Sequence, residues 1–288
     1  MGRWFPLHQT QTITRLGEGL GSAGQLGEAA MARTITTVSQ FCRTAKTLAA
    51  EEVLIVATSA VRDARNRQDF LERVQRVTGL AVRVVPGEEE ARLALLGALY
   101  GLAAVSGSLL LFDIGGGSSE FILARERQLA AAISLRLGVV SLAERYTTTE
   151  PMTRARYAEM DREIRSRLAT GLAGFSRDAR PDHLVGTAGT VTTLAALDLE
   201  LQAYDPDRVQ GYVLQRRRIE QLLARLAALP AAARAELPCL PPGRADVIIP
   251  GTAICLATMD HFGFQSVIVS EFGLREGILI EHVSRSLP

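Results

Sequence analysis

Apolar spacing changes repeatedly along the chain, and each change marks an element. From Glu28 to Ala50, apolar residues fall at Met31, Ile35, Val38, Phe41, Ala45 and Leu48. Steps of three and four put them on one helical face. Val53 to Thr58 is an unbroken apolar run, as expected of a strand covered on both sides. Asn66 is placed to cap a helix with Phe70, Val74 and Val77 inward. Ala81 to Val85 is the next strand, ended by Pro86-Gly87, and a long helix runs from about Glu88 to Val105. Before these, Arg3 to Arg15 alternates loosely and suggests a strand, followed by a turn-rich Leu16 to Gly21.

The second half alternates too. Ser108 to Asp113, Glu120 to Ala124 and Gln128 to Leu135 are strands, the first two joined by a glycine-rich tip. Helices are expected around Leu142 to Tyr146, Arg154 to Phe175, Gly189 to Leu201, Arg217 to Leu229, Gly251 to Phe262, and from Leu274 onward. Short strands are expected at Asp182 to Val185, Val209 to Leu214 and Val267 to Val269. This order predicts an α/β protein with a largely parallel sheet. At 288 residues two domains are the default, 1–105 and 106–288, joined near Gly101 to Ser106.

Composition narrows the classes. Hydrophobic residues make up 47% and charged residues 22%, which excludes a disordered chain. Apolar runs such as Leu109 to Phe112 are far too short to cross a bilayer, and the start lacks a signal peptide's apolar core. A net charge of +1 supplies no general field for nucleic acid or an anionic membrane. Cys42, Cys239 and Cys255 are odd in number and widely spaced, as in a reduced cytoplasmic protein. Lys46 is the single lysine; the other basic residues are arginine, whose planar fork suits phosphate but whose abundance also follows from a GC-rich genome.

Five segments carry candidate chemistry. Asp113 leads into Gly115-Gly116-Gly117-Ser118-Ser119-Glu120, where glycines let backbone N–H groups approach an anion and serines add hydroxyl donors. Asp113, at a strand end beside that loop, is a hard oxygen ligand for Mg²⁺. Gly186-Thr187-Ala188-Gly189-Thr190 follows a strand and opens a helix, a place suited to a second phosphate. Thr58 to Asn66 lies past a strand end and offers Arg62 as a phosphate clamp or a plain surface arginine. Gly87-Glu88-Glu89-Glu90-Ala91-Arg92 places three acids in a first helical turn, where the dipole favours them or one of them orients a water. Gly273 and Gly277 in Ser270 to Gly277 allow close helix packing. His8, His183, His261 and His282 are scattered and form no metal pattern.

Together, Ala57 to Asn66, Gly87 to Arg92, Asp113 to Glu120, Gly186 to Thr190 and Gly273 to Gly277 resemble the exopolyphosphatase / guanosine pentaphosphate phosphatase (Ppx/GppA) family. The resemblance implies two ribonuclease-H-like domains of the actin-like ATPase superfamily with a cleft between them. It implies Mg²⁺-dependent hydrolysis of a terminal phosphoanhydride of polyphosphate or guanosine pentaphosphate, in a homodimer. Glu90 aligns with the family's catalytic glutamate and Arg62 with its Thr-Ser-Ala-x-Arg arginine. Asp113 and Glu120 match the acidic residues of the metal and phosphate loop. Family members open with a strand and an Asp-x-Gly-Ser/Thr-Asn-Ser phosphate loop. No such motif stands before Ile13 here, so the first domain is expected to lack part of its cradle. Ser141 stands where the family pattern leads to an arginine. Two other readings stay open: a non-catalytic binder of polyphosphate or a guanosine polyphosphate, and a related ATPase or kinase.

Overall fold

The computed structural model describes residues 6–175 and 181–286. In chain order the elements are α1 (Leu20–Ala23), α2 (Glu28–Thr47), β1 (Ile55–Ala57), α3 (Ser59–Arg62), α4 (Arg67–Thr78), β2 (Val82–Val84) and α5 (Gly87–Gly101). Then come β3 (Leu109–Ile114), β4 (Ser119–Arg125), β5 (Gln128–Leu135), α6 (Val139–Tyr146), α7 (Arg154–Gly171), β6 (His183–Thr187), α8 (Ala188–Asp198), α9 (Pro206–Val209) and β7 (Val213–Gln215). The chain finishes with α10 (Arg216–Ala228), α11 (Ala231–Ala235), α12 (Ile248–Phe262), β8 (Ser266–Val269) and α13 (Leu274–Ser286).

Strands β1 and β2 pair in parallel as a two-stranded sheet. Met31, Val61, Phe70 and Val74 from the surrounding helices, with Leu26 just before α2, form that lobe's core. The other lobe is a six-stranded sheet in the order β5-β4-β3-β6-β8-β7. Its first three strands are antiparallel, β6 and β8 continue parallel to β3, and β7 closes the edge antiparallel. Alternation along β3 sends Leu110, Phe112 and Ile114 to one core with α6, α7, α8, α10 and α12. Leu109 and Leu111 enter a second core with Ala91, Ala94, Leu95 and Ala98 of α5. Helix α5 therefore packs on the six-stranded sheet, and α13 lies along it. Gly97, Gly273 and Gly277 make that seam tight, because a Cβ on Gly277 would overlap the Leu93 carbonyl.

Several sequence expectations change. No strand forms over 6–15, and residues 3–5 of the expected Arg3 to Arg15 strand lie outside the described part. Strand β1 is only partly buried, since it belongs to a two-stranded sheet and not to a sandwiched one. Asn66 sits at the N-terminus of α4 without capping it. Its side chain instead takes the Leu26 N–H at 2.8 Å and donates to the Leu26 carbonyl at 3.0 Å, tying down the turn before α2. Phe41, Leu48 and Val77, expected inward, are exposed. The expected strand Val209 to Leu214 is a helical turn, α9, then a shorter strand. Asp205 caps that turn, accepting from the Asp207 and Arg208 N–H groups, and Pro206 starts it. No helix among the described residues is long and apolar enough to cross a membrane.

Candidate active site

Asp113 is directly opposite Glu120 in the β3–β4 ladder and opposite Thr187 of β6 on its other side. Directly paired residues share a sheet face, so the two carboxylates crowd one spot at the strand ends. Burial, then Glu120, then Glu90 push the half-buried Asp113 carboxyl up to about 8. Burial also raises Glu120, against hydrogen bonds from Ser118 and Ser134 that lower it. Those hydroxyls donate to Glu120 Oε1 at 2.6 and 2.8 Å and fix its orientation. Ser118 Oγ also lies 3.3 Å from Ser59 Oγ of α3, linking the loop to the first lobe. Ser119 is committed elsewhere, donating to the Leu137 carbonyl at 2.6 Å.

The Gly115–Gly117 loop is held by its carbonyls. Gly115 and Gly116 accept from Val139 and Val140 at the start of α6, at 3.1 and 2.9 Å. Gly138 makes this approach possible, since a Cβ there would overlap the Gly116 and Gly117 backbone. Among the described residues the N–H groups of Gly116, Gly117 and Ser118 form no backbone bond, which leaves them for an anion.

Glu90 sits in the first turn of α5 and is 8% exposed, whereas Glu88 is exposed. Arg62, at the end of α3, donates to Glu90 Oε2 at 2.7 Å and to the Val85 carbonyl at 2.8 Å. Periodicity left open which glutamate of the three faces inward, while the family motif pointed to Glu90; the packing of α5 buries that one.

The second glycine loop divides its tasks. A Cβ on Gly186 would come within 2.8 Å of Phe112 and 2.9 Å of Val191, so this glycine serves core packing. Thr187 donates its hydroxyl toward the Ser270 and Phe272 carbonyls, both at 3.1 Å, tying the loop to the turn before α13. Thr190 is buried where Gly251 of α12 presses on it. Ala188 turns the chain with a φ of 65°, a conformation costly for a residue with a Cβ.

Gly189 exposes what sequence reading missed. A Cβ there would overlap the guanidinium of Arg244, which lies over the N-terminus of α8. Arg244 is 8% exposed, has an orphaned Nε, and donates to Thr193 Oγ1 at 3.3 Å. Burial lowers its pKa, against Tyr204 and Glu271 nearby. Among the described residues it forms no ion pair. A buried cation at the positive end of a helix is electrostatically unfavourable unless an anion joins it. No local motif announces this, since 55 residues separate Arg244 from Gly189.

The donor set fits Mg²⁺. No group of three His, Cys, Asp or Glu among the described residues could hold a metal unaided. Asp113 and Glu120 offer two hard carboxyl ligands, and with no cation between them Asp113 keeps its proton up to about 8. Magnesium commonly uses one or two carboxylates and completes its shell with phosphate oxygens and water.

A six-stranded mixed sheet with this acid-and-glycine edge, facing a second α/β lobe, defines an actin-like ATPase-type α/β protein that handles phosphate. The chain belongs to the Ppx/GppA phosphatase family, whose model matches residues 2–286. It is 32% identical to exopolyphosphatase 2 of Mycobacterium tuberculosis, over 97% of this chain and 90% of the relative. The crystal structure of the Aquifex aeolicus Ppx/GppA family member superposes with a TM-score of 0.78 at 33% identity, covering 96% of this chain and 89% of that one. An exopolyphosphatase from Cytophaga hutchinsonii reaches 0.83 at 26% identity, covering 93% and 86%.

Proposed function

We propose that this chain hydrolyses the terminal phosphoanhydride of inorganic polyphosphate and releases orthophosphate. The arrangement that carries the reading is Glu90, held by Arg62 and set beside the Asp113–Glu120 pair and its glycine loop. The exopolyphosphatase names of its relatives support the same chemistry. The N–H groups of Gly116, Gly117 and Ser118 bind the terminal phosphoryl oxygens, and Gly189 and Arg244 bind phosphate further along the chain. Glu90 accepts the proton of the attacking water, and Arg62 fixes the carboxylate toward it. Asp113 and Glu120 would hold Mg²⁺, which when bound neutralises phosphate charge. The 5′-triphosphate end of guanosine pentaphosphate presents the same anhydride and is a second substrate of this site.

Orthophosphate release from polyphosphate in Mg²⁺, measured for this chain and for its Glu90→Gln variant, tests the reading. Release that the substitution abolishes supports it. Polyphosphate bound without any release would instead identify a non-catalytic binder, and equal release by both would remove Glu90 from the mechanism.

A further inference from the structure

Arg244 contacts the second phosphate loop, yet the loop that carries it is held in part from the other lobe. Arg15 donates to the Gly243 carbonyl at 3.2 Å and to Asp246 at 2.7 Å. These two residues flank Arg244. Ile13 lies 3.6 Å from where a Cβ of Gly243 would stand, and Gly243 has a φ of 80°. From behind, buried Arg234 donates to the Ala245 carbonyl at 2.7 Å. The carbonyl before Arg244, the carbonyl after it and the next acidic side chain are thus all held by arginines.

The segment bearing Arg15 is itself anchored to the first lobe. Arg33 of α2 donates to the Thr14 carbonyl at 3.3 Å and pairs with Glu18 at 2.7 Å. Thr34 and Thr14 join hydroxyls at 2.9 Å. A second bridge, Gly19 N–H to Glu144 at 3.1 Å, meets α6 of the six-stranded lobe. Arg15 holds a φ of 53°, a strained conformation for an arginine that persists only where its surroundings enforce it. Its pair with Asp246 is roughly one-third exposed on each side, so its value for stability alone is small.

We propose that Arg15 is a positioning residue for anion binding: it clamps both flanks of Arg244 and thereby sets that guanidinium over Gly189. The proposal rests on the reading of Arg244 as a phosphate ligand. It predicts that polyphosphate affinity depends on a contact between the lobes that no phosphate touches.

The test is a double-mutant cycle read by calorimetric titration of inorganic polyphosphate, well below the melting temperature of every variant. Arg15→Ala is expected to weaken binding about tenfold, and to weaken it no further when Arg244→Ala is already present. Exchanging the pair, Arg15→Asp with Asp246→Arg, is expected to restore most of the affinity lost by Arg15→Asp alone. A structural role would lower the melting temperature and leave affinity untouched. If Arg244→Ala weakens binding but Arg15→Ala does not, or if the two losses add, the positioning role is wrong and the phosphate role of Arg244 stands. If Arg244→Ala leaves binding intact, the reading of Arg244 fails and this inference fails with it.

Discussion

Asp113 and Glu120 stand directly across the β3–β4 ladder from each other, two carboxylates held on one face of a sheet. Two ionised carboxylates so placed would destabilise a ladder by about 0.2–1 kcal/mol, and without metal Asp113 keeps its proton up to about 8 instead. A cation held between them, as proposed above, would reverse the sign of that contact.

Asp113→Asn therefore separates stability from function. With no metal present, the folded wild type holds its Asp113 proton up to about 8, well above the range of an unfolded aspartate. The folded state then carries the extra proton between those values, so stability falls as pH rises through this window. The variant is expected to lack this fall. Mg²⁺ with polyphosphate is expected to raise the melting temperature of the wild type and not that of the variant. Thermal unfolding at pH 5 and pH 9, with and without Mg²⁺, checks both. An undiminished response to Mg²⁺ would remove Asp113 from the metal site.

Glu90→Gln keeps size and helix propensity, so its fold should survive. Loss of a positioned general base lowers phosphate release by about 10²–10⁴. Polyphosphate binding should persist, since no positive charge is removed. Glu88→Gln, at an exposed position, should match wild type. Equal losses in the two variants would return this acidic turn to the helix dipole.

Gly189→Ala places a methyl where the Arg244 guanidinium lies. The arginine must leave the loop or the helix must shift, at a cost of about 1–3 kcal/mol. Polyphosphate titration should show affinity falling to the level of Arg244→Ala. Affinity equal to wild type would mean that Arg244 plays no part in binding.

Gly138→Ala is expected to harm the first loop more severely, because its methyl meets backbone and not a flexible side chain. Phosphate release should fall while the chain remains folded by circular dichroism. Full activity would show that the loop can move aside.

The strands that build the site were legible in the sequence because the apolar run Leu109 to Phe112 leads into the Gly115 loop and Phe121 to Ala124 leads away from it. Helix α5 was legible too, although its partner was not: periodicity reports a buried face and never what buries it. The α9 turn was missed because Val209, Tyr212, Val213 and Leu214 read together as one strand, whereas Asp205 and Pro206 start a helical turn that ends at Val209. Phe41 and Val77 fit a helical period and are exposed, since only tertiary contact decides how wide a face is covered. Among site residues, Asp113, Glu120, Arg62 and Glu90 stand in motifs. Arg244, Ser134 and Gly138 reach the site by packing between segments far apart in sequence.

Glycines at 97, 273 and 277 bring the α5 and α13 backbones together with almost nothing between them. The turn just before α13 also holds Thr187. Helix α5, with Glu90 at its head, is thus bolted to the same chassis as the second glycine loop, while Arg62 belongs to the smaller lobe. Any rocking of one lobe on the other would leave glutamate and loop in fixed register. What such a movement would change is the grip of Arg62 on Glu90, so this ion pair is the joint at which motion of the whole molecule could be felt by a single carboxylate.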